Sequence, residues 1–176
     1  LSALFHQAYH VSGGEDADAA SRKTVARVRA MAQTFDRLVV CGDAKRNWRH
    51  ERFSAYKAQR EAKPPEFGAQ IERTIAVLRD DGFPVWIVDG FEADDVIASA
   101  TSRALSEGFN VVVMTHDKDL SQLLALDGVT VLDIMSGLMK TADDVRTKFG
   151  VGPDLLGDWL AIVGDTSDNE IGRAHV

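Results

Sequence analysis

Four short apolar runs, at residues 37–41, 85–88, 110–114 and 129–134, alternate with longer stretches of helical period. That alternation constrains the fold more than any other feature of the chain. Strands that take turns with helices pair in parallel, and a parallel sheet needs helices on both faces to bury it. The expected architecture is therefore α/β in three layers. The helical stretches are residues 1–10, 16–35, 65–81, 92–107, 117–125, 141–149 and 153–163. Pro65 suits the first turn of its helix, Thr141 caps another, and Gly82, Gly108 and Gly150 end the helices that precede them. Ser12-Gly13-Gly14 marks a loop over 11–15, and Ser136-Gly137 marks a turn. No stretch reads as a linker between domains, and there is no internal repeat.

The order of elements matters because ligands of an open parallel sheet bind beyond the carboxyl ends of its strands. The run at 37–41 is followed by Asp43. The run at 85–88 is followed by Gly90-Phe91-Glu92-Ala93-Asp94-Asp95, with three carboxylates in four positions. The run at 110–114 is followed by Asp117 and Asp119, and the last helical stretch by Asp165 and Asp168. Two unit charges about 4 Å apart at an effective dielectric near 20 repel by roughly 4 kcal/mol, so a fold that gathers them expects a cation. Hard oxygen ligands select Mg²⁺ or Mn²⁺. The carboxylates are too many for one octahedral ion that keeps its waters, so two ions about 4 Å apart are expected. Each group has a plainer reading alone. Acids at helix starts favour the macrodipole, Asp117-Lys118-Asp119 could be a cap, and Asp165-Thr166-Ser167-Asp168-Asn169 could be an Asx-turn loop. Their convergence on one sheet edge favours the metal reading.

A second signal lies at residues 45–63. Lys45, Arg46, Arg49, Arg52, Lys57, Arg60 and Lys63 stand against Glu51 and Glu61, with Trp48, Phe53 and Tyr56 interleaved. Cations beside aromatics suit a phosphate backbone with bases stacked on rings; a solvated basic helix with its aromatics packed inward is the alternative. The formal net charge of −7 argues against a general nucleic-acid coat. It leaves room for a nucleic-acid enzyme, because metal ligands inflate the acid count and a basic patch acts locally. Cys41 is the single cysteine, so no internal disulfide forms and a reducing, cytoplasmic setting is expected. No apolar run approaches the roughly 20 residues of a membrane span. His6, His10, His50 and His116 lack metal-ligand spacing, and no Gly-rich phosphate loop with Lys-Ser/Thr is present.

Taken together these residues resemble the 5′-nuclease family, which comprises the 5′→3′ exonuclease domain of bacterial DNA polymerase I, its free-standing phage relatives and the flap endonucleases. The likeness rests on Asp43-Ala44-Lys45 with Arg49-His50-Glu51, on Tyr56-Lys57-Ala58-Gln59-Arg60, and on Glu92-Ala93-Asp94-Asp95-Val96-Ile97. It continues with Asp117-Lys118-Asp119-Leu120, Gln122-Leu123 and Gly164-Asp165-Thr166-Ser167-Asp168-Asn169. The resemblance implies a PIN-like domain and metal-dependent hydrolysis of DNA phosphodiesters near 5′ ends, flaps and duplex junctions. It implies that Asp43, Glu92 and Asp94 hold a first metal. Asp94, Asp117, Asp119 and Asp165 would hold a second, with Asp95 and Asp168 nearby or acting through water. Lys57 and Arg60 would contact the scissile phosphate, and Tyr56 would stack a terminal base. A monomer is expected.

Two departures accompany the likeness. The family carries another metal-binding Asp on a first strand, which would precede Leu1, and an Arg where Gln7 stands. The family also continues past Asp168-Asn169 into a helical hairpin that grips duplex DNA. Residues 1–170 are therefore expected to form a nuclease domain truncated at both ends, and residues 171–176 a non-native tail. A catalytically inactive DNA- or metal-binding fragment of such a nuclease is the main alternative. A phosphatase of the haloacid dehalogenase type also sets Asp-x-Asp after an apolar strand, as in Asp117-Lys118-Asp119, but wants it on the first strand and followed by Thr or Val.

Overall fold

The structure, a computed structural model, describes residues 1–11 and 18–173. Most of the loop expected over 11–15 and the end of the expected tail lie outside the described residues. The chain forms two compact units. Leu1–Lys45 with Glu61–Val96 make the first, and Arg46–Arg60 with Ile97–Val176 the second. Both combine parallel strand pairing with helices, as the alternating pattern predicts.

In the first unit, α1 (Ser2–Val11), α2 (Ala19–Ala32) and α4 (Pro65–Asp80) pack around a parallel pair. That pair is β1 (Val40–Cys41) against β2 (Val85–Trp86), with Val40 opposite Val85. Val25, Val28, Val40, Leu78 and Val85 form its buried centre, with Leu4, Ile75 and Ile87 packed against them. A second cluster sets Phe5, Ala8 and Ala20 on Phe67, whose ring meets Phe5 edge-on at 5.1 Å between centroids. Pro65 occupies the start of α4. The helix ends in a Schellman turn: Gly82, at φ 85°, donates to the Arg79 carbonyl, and Phe83 N–H donates to Leu78. The strands are shorter than the apolar runs that contain them. Pro84 has no N–H to give to a ladder, and pairing stops within two residues.

In the second unit, β3 (Val111–Thr115) pairs in parallel with β4 (Val129–Asp133), and β5 (Met139–Lys140) adds to β4 in antiparallel sense. Val113 and Val131 are register partners, and both are buried with Leu120 and Leu123. Each burial of such an aliphatic side chain stabilises by about 1.5–3 kcal/mol. The short helix α3 (Trp48–Arg52) is capped by Asn47, whose Oδ1 accepts from His50 N–H at 3.0 Å. Helix α6 (Ala142–Phe149) opens with a capping box. Asp144 N–H donates to Thr141 Oγ1, and Thr141 N–H donates to the Asp144 carboxylate. Gly150 ends it at φ 76°. The helix α7 (Leu156–Val163) follows, preceded by a 3₁₀ turn at Pro153–Leu155. The division between the units falls inside α5 (Ala93–Ser106).

Three features differ from the sequence expectation. The stretch at 117–125 is a 3₁₀ helix from Asp119 to Ala125, because the Asp117 carboxylate captures the Asp119 N–H and delays the helix start. The strands are not joined in one hydrogen-bonded sheet but form separate ladders, β1–β2, β3–β4–β5 and a hairpin of β6 (Gly164–Asp165) with β7 (Glu170–Ile171). That hairpin replaces the loop expected at 165–169 and draws Ile171, placed in the tail by its sequence, into a ladder with Gly164. Among the described residues, no helix is long and apolar enough to cross a membrane.

Candidate metal and phosphate sites

Each unit carries its own acidic group. In the first, Asp43 follows β1 by one glycine, and its Oδ1 accepts from the Ala93 N–H at 2.9 Å, at the start of α5. Asp95 reaches back to the same helix end, where its Oδ2 accepts from Glu92 N–H at 3.1 Å. Asp94 and Asp95 lie in the first turn of α5, and Glu92 is buried just before it. The plainer reading of these acids is thus partly real: two of them cap a helix whose positive end favours them. The Leu1 ammonium donates to the Cys41 carbonyl at 2.6 Å. Burial lowers its pKa, against the charges of Asp43 and Asp94, which act the other way.

The second unit gathers the other acids. Asp117 follows β3, and its N–H donates to the Thr115 hydroxyl at 3.0 Å. Its Oδ1 in turn accepts from Asp119 N–H at 2.9 Å. Asp119 points one carboxylate oxygen into a place where it has no hydrogen-bond partner. Burial, and then the neighbouring Asp117, push its pKa up to about 6. Asp165 is buried, with Oδ1 accepting from both the N–H and the hydroxyl of Ser167 at 2.9 and 2.7 Å. Its other oxygen pairs with the Lys118 ammonium at 2.9 Å. Burial acts to raise the Asp165 pKa, but the Ser167 and Lys118 contacts outweigh it and hold the carboxyl below its ordinary value. Lys118 is the complement: desolvation acts to lower its pKa, yet Asp165, Asp119 and Asp117 hold it above its ordinary value. The cation that the sequence demanded among these acids is, in this structure, a lysine. Nothing in the spacing of Asp117-Lys118-Asp119 revealed that role.

Asp168 is engaged differently. Its carboxylate meets the Arg60 guanidinium, the Lys57 ammonium at 3.5 Å and the Tyr56 hydroxyl at 3.3 Å. Burial, with the charges of Asp168 and Asp165, raises the pKa of the adjoining Glu170. Among the described residues, no three His, Cys, Asp or Glu side chains stand close enough together to hold one metal ion. The donor chemistry still fits a divalent cation. The ligands are hard oxygens, one buried carboxylate oxygen is unpartnered, and burial with mutual repulsion has already raised the Asp119 pKa.

The basic stretch divides between the units. In the first, Lys45 pairs with Glu72 at 2.8 Å and the Lys63 ammonium lies over the Phe67 ring. In the second, Arg49 stacks on Trp48 at 4.7 Å, and Arg46 and Arg52 are exposed. Tyr56, expected to offer a ring to a terminal base, is only 4% exposed; Lys57 lies over its ring and His50 meets it edge-on. The rings that are open are Trp48 and Phe53, at 44% and 43% exposure. Alternation of cations and aromatics identified the stretch but could not tell which ring faces inward.

Comparison with known proteins places this geometry. Residues 2–150 match the family model described as the 5′-3′ exonuclease, N-terminal resolvase-like domain. The chain is 42% identical over 123 residues to DNA polymerase I of Pseudomonas aeruginosa, covering 69% of this chain and 13% of that protein. It is 33% identical over 132 residues to the 5′-3′ exonuclease of Buchnera aphidicola, covering 75% of this chain and 46% of that protein. The chain thus spans less than half of either relative. Among solved structures, the T5 5′-exonuclease with divalent zinc ions bound superposes with a TM-score of 0.75 at 23% identity, over 99% of this chain and 68% of that one. That likeness concerns the fold, and it agrees with the α/β, PIN-like architecture expected from the strand–helix alternation. With the family model matched along most of its length, the chain belongs to the 5′-3′ exonuclease N-terminal, resolvase-like domain family.

Proposed function

We propose that this domain hydrolyses DNA phosphodiesters near 5′ ends, as a 5′→3′ exonuclease and flap endonuclease dependent on two Mg²⁺ or Mn²⁺ ions. The observation that carries the reading is the buried, unpartnered oxygen of Asp119 beside Asp117 and Asp165, on a chain of this family. We assign Asp43, Glu92 and Asp94, with Asp95 beside them, to one ion. Asp117, Asp119 and Asp165 are assigned to the other. Such an ion, when bound, lowers the pKa of its water and stabilises charge on a phosphoryl oxygen.

The chain's own groups do the remaining work. Ser167 orients Asp165, and Lys118 moves aside from Asp165 as a divalent cation arrives. Lys57 and Arg60 hold the phosphate, with bases stacking on Trp48 and Phe53 in place of the buried Tyr56. Lys45, Arg46, Arg49, Arg52 and Lys63 are general backbone contacts, whose strength falls with salt. The setting that suits this chemistry is DNA replication or repair by a monomeric, cytoplasmic domain.

The test is a duplex with a 5′ flap labelled at its 5′ end, incubated with the chain and Mg²⁺ or Mn²⁺, with EDTA as the control. Short labelled products that vanish in EDTA support the nuclease. One observation favours a second reading, a DNA- or metal-binding domain without turnover: among the described residues no three acids stand close enough to share an ion. That reading predicts calorimetric Mn²⁺ binding and DNA binding with no product.

A further inference from the structure

Residues 54–59 form turns rather than a regular element, yet they are tied at many points to the loop between β6 and β7. Lys57 N–H donates to the Asp168 carbonyl at 2.9 Å, and Gln59 Nε2 donates to the Thr166 and Ser167 carbonyls at 3.0 Å. Arg60 Nε reaches the Ser167 carbonyl at 3.3 Å, and Asn169 Nδ2 donates to the Ala55 carbonyl at 2.8 Å. Lys57 and Asn169 both sit in the left-handed region, at φ 54° and 59°, a conformation that a non-glycine residue holds only where its surroundings enforce it. The segment is therefore fixed, and its three functional groups converge. Tyr56 Oη and Lys57 Nζ face one oxygen of the Asp168 carboxylate, and Arg60 Nη2 faces the other. Lys57 and Asp168 are largely withdrawn from solvent, with side chains 20% and 16% exposed. Two cations and a hydroxyl donor around one anion make a site for a phosphate, which offers more acceptor oxygens than a carboxylate and, when terminal, more charge.

The geometry points to Asp168 as the built-in occupant of this phosphate site: its carboxylate stands where a DNA phosphate binds, and DNA must displace it. The inference rests on the proposed DNA-binding role of Lys57 and Arg60 and adds a gate to it. Asp168 then sets a threshold. Weakly held anions fail to compete with a tethered carboxylate, whereas a strand that also engages the rest of the basic stretch succeeds.

The test is done in EDTA, so that metal binding plays no part. Fluorescence anisotropy measures the affinity of single-stranded oligonucleotides, 5′-phosphorylated or 5′-hydroxyl, for the wild-type chain and for D168N, D168S, R60A, K57A and D168N/R60A. Both Asp168 variants keep the backbone carbonyl that accepts from Lys57, and a melting curve for each checks the fold. D168N and D168S are expected to bind about tenfold more tightly than wild type. Their salt dependence should steepen by about 0.7 in log–log slope for each further phosphate that the protein neutralises. Adding R60A should remove the tighter binding. An effect confined to the phosphorylated strand assigns the terminal phosphate, and an equal effect on both strands assigns an internal phosphodiester. Unchanged or weaker binding by both Asp168 variants, with R60A still weakening the wild type, overturns the gate and leaves the DNA-binding role of the segment intact. If neither K57A nor R60A weakens binding in any background, the gate and the DNA-binding role fall together.

Discussion

Replacing Asp119 by Asn should make the metal-free protein more stable. In this structure the Asp119 carboxyl is raised from its ordinary 3.8 to about 6, first by burial and then by the charge of Asp117. At about 1.4 kcal/mol per pKa unit, ionising it in the folded state costs about 3 kcal/mol. The group is only partly buried, so solvent screening takes roughly half of that and leaves about 1–2 kcal/mol. The sign follows from linkage. The folded state binds the proton more tightly than the unfolded state, so stability is highest below pH 4, declines between pH 4 and 6, and carries the full penalty at pH 7.5. Asn removes the charge and can donate to the neighbouring carboxylates. In EDTA at pH 7.5, Asp119→Asn should raise the melting temperature by about 3–6 °C. At pH 4 the difference should disappear. With Mn²⁺ the order should reverse, because the wild type gains stability from the ion and the variant gains less. The assay is a thermal melt by circular dichroism at the two pH values, with and without metal. A lower melting temperature for Asp119→Asn in EDTA at pH 7.5 would refute the reasoning, since it would mean that the ionised carboxylate stabilises the fold.

Three further outcomes follow from the geometry. Asp133 accepts from the Met135 and Ser136 N–H groups at 2.8 and 2.9 Å and from His116, contacts that outweigh its desolvation and hold its pKa well below the ordinary range. Its contribution is present above pH 4 and is lost as the pH falls further, so Asp133→Asn should lose roughly 1–2 kcal/mol at pH 7 and show a flatter acid limb in urea titrations. Thr141→Ala removes one half of the capping box on α6 and should lower stability by about 1 kcal/mol in the same titration; no change would mean that Asp144 caps the helix alone. Lys57→Ala should slow single-turnover cleavage by about 10²-fold while weakening DNA binding less; equal losses would make Lys57 a general phosphate contact.

Much of this molecule was legible before folding. The start of α4 at Pro65, its Schellman end at Gly82, the cap at Thr141 and the stop at Gly150 are where local chemistry placed them, because each depends on one or two residues and the backbone beside them. The parallel pairing of β1 with β2 and of β3 with β4 followed from alternation alone. What depended on distant partners was not legible. No local rule shows that Lys118 turns towards Asp165, that Tyr56 is buried while Trp48 is open, or that Asp168 faces a basic segment more than a hundred residues earlier. The hairpin of β6 and β7 was missed because two-residue strands carry no periodicity. The acids themselves were found easily, since charge clusters survive in one dimension. Their present partners are a property of three dimensions.

The double use of Asp43 and Asp95 bears on how such a domain changes over generations. Both acids cap the start of α5, so the fold keeps them whether or not chemistry is needed. Asp119 has no such second employment and strains the fold while it is charged. A lineage that stops cutting DNA would shed Asp119 first, since drift there is rewarded with stability. It would retain an oxygen acceptor at positions 43 and 95 long afterwards. Descendants that had lost the activity would therefore still display half of the acidic signature, and position 119, rather than the more eye-catching cluster at 92–95, is the one by which to sort working members from silent ones.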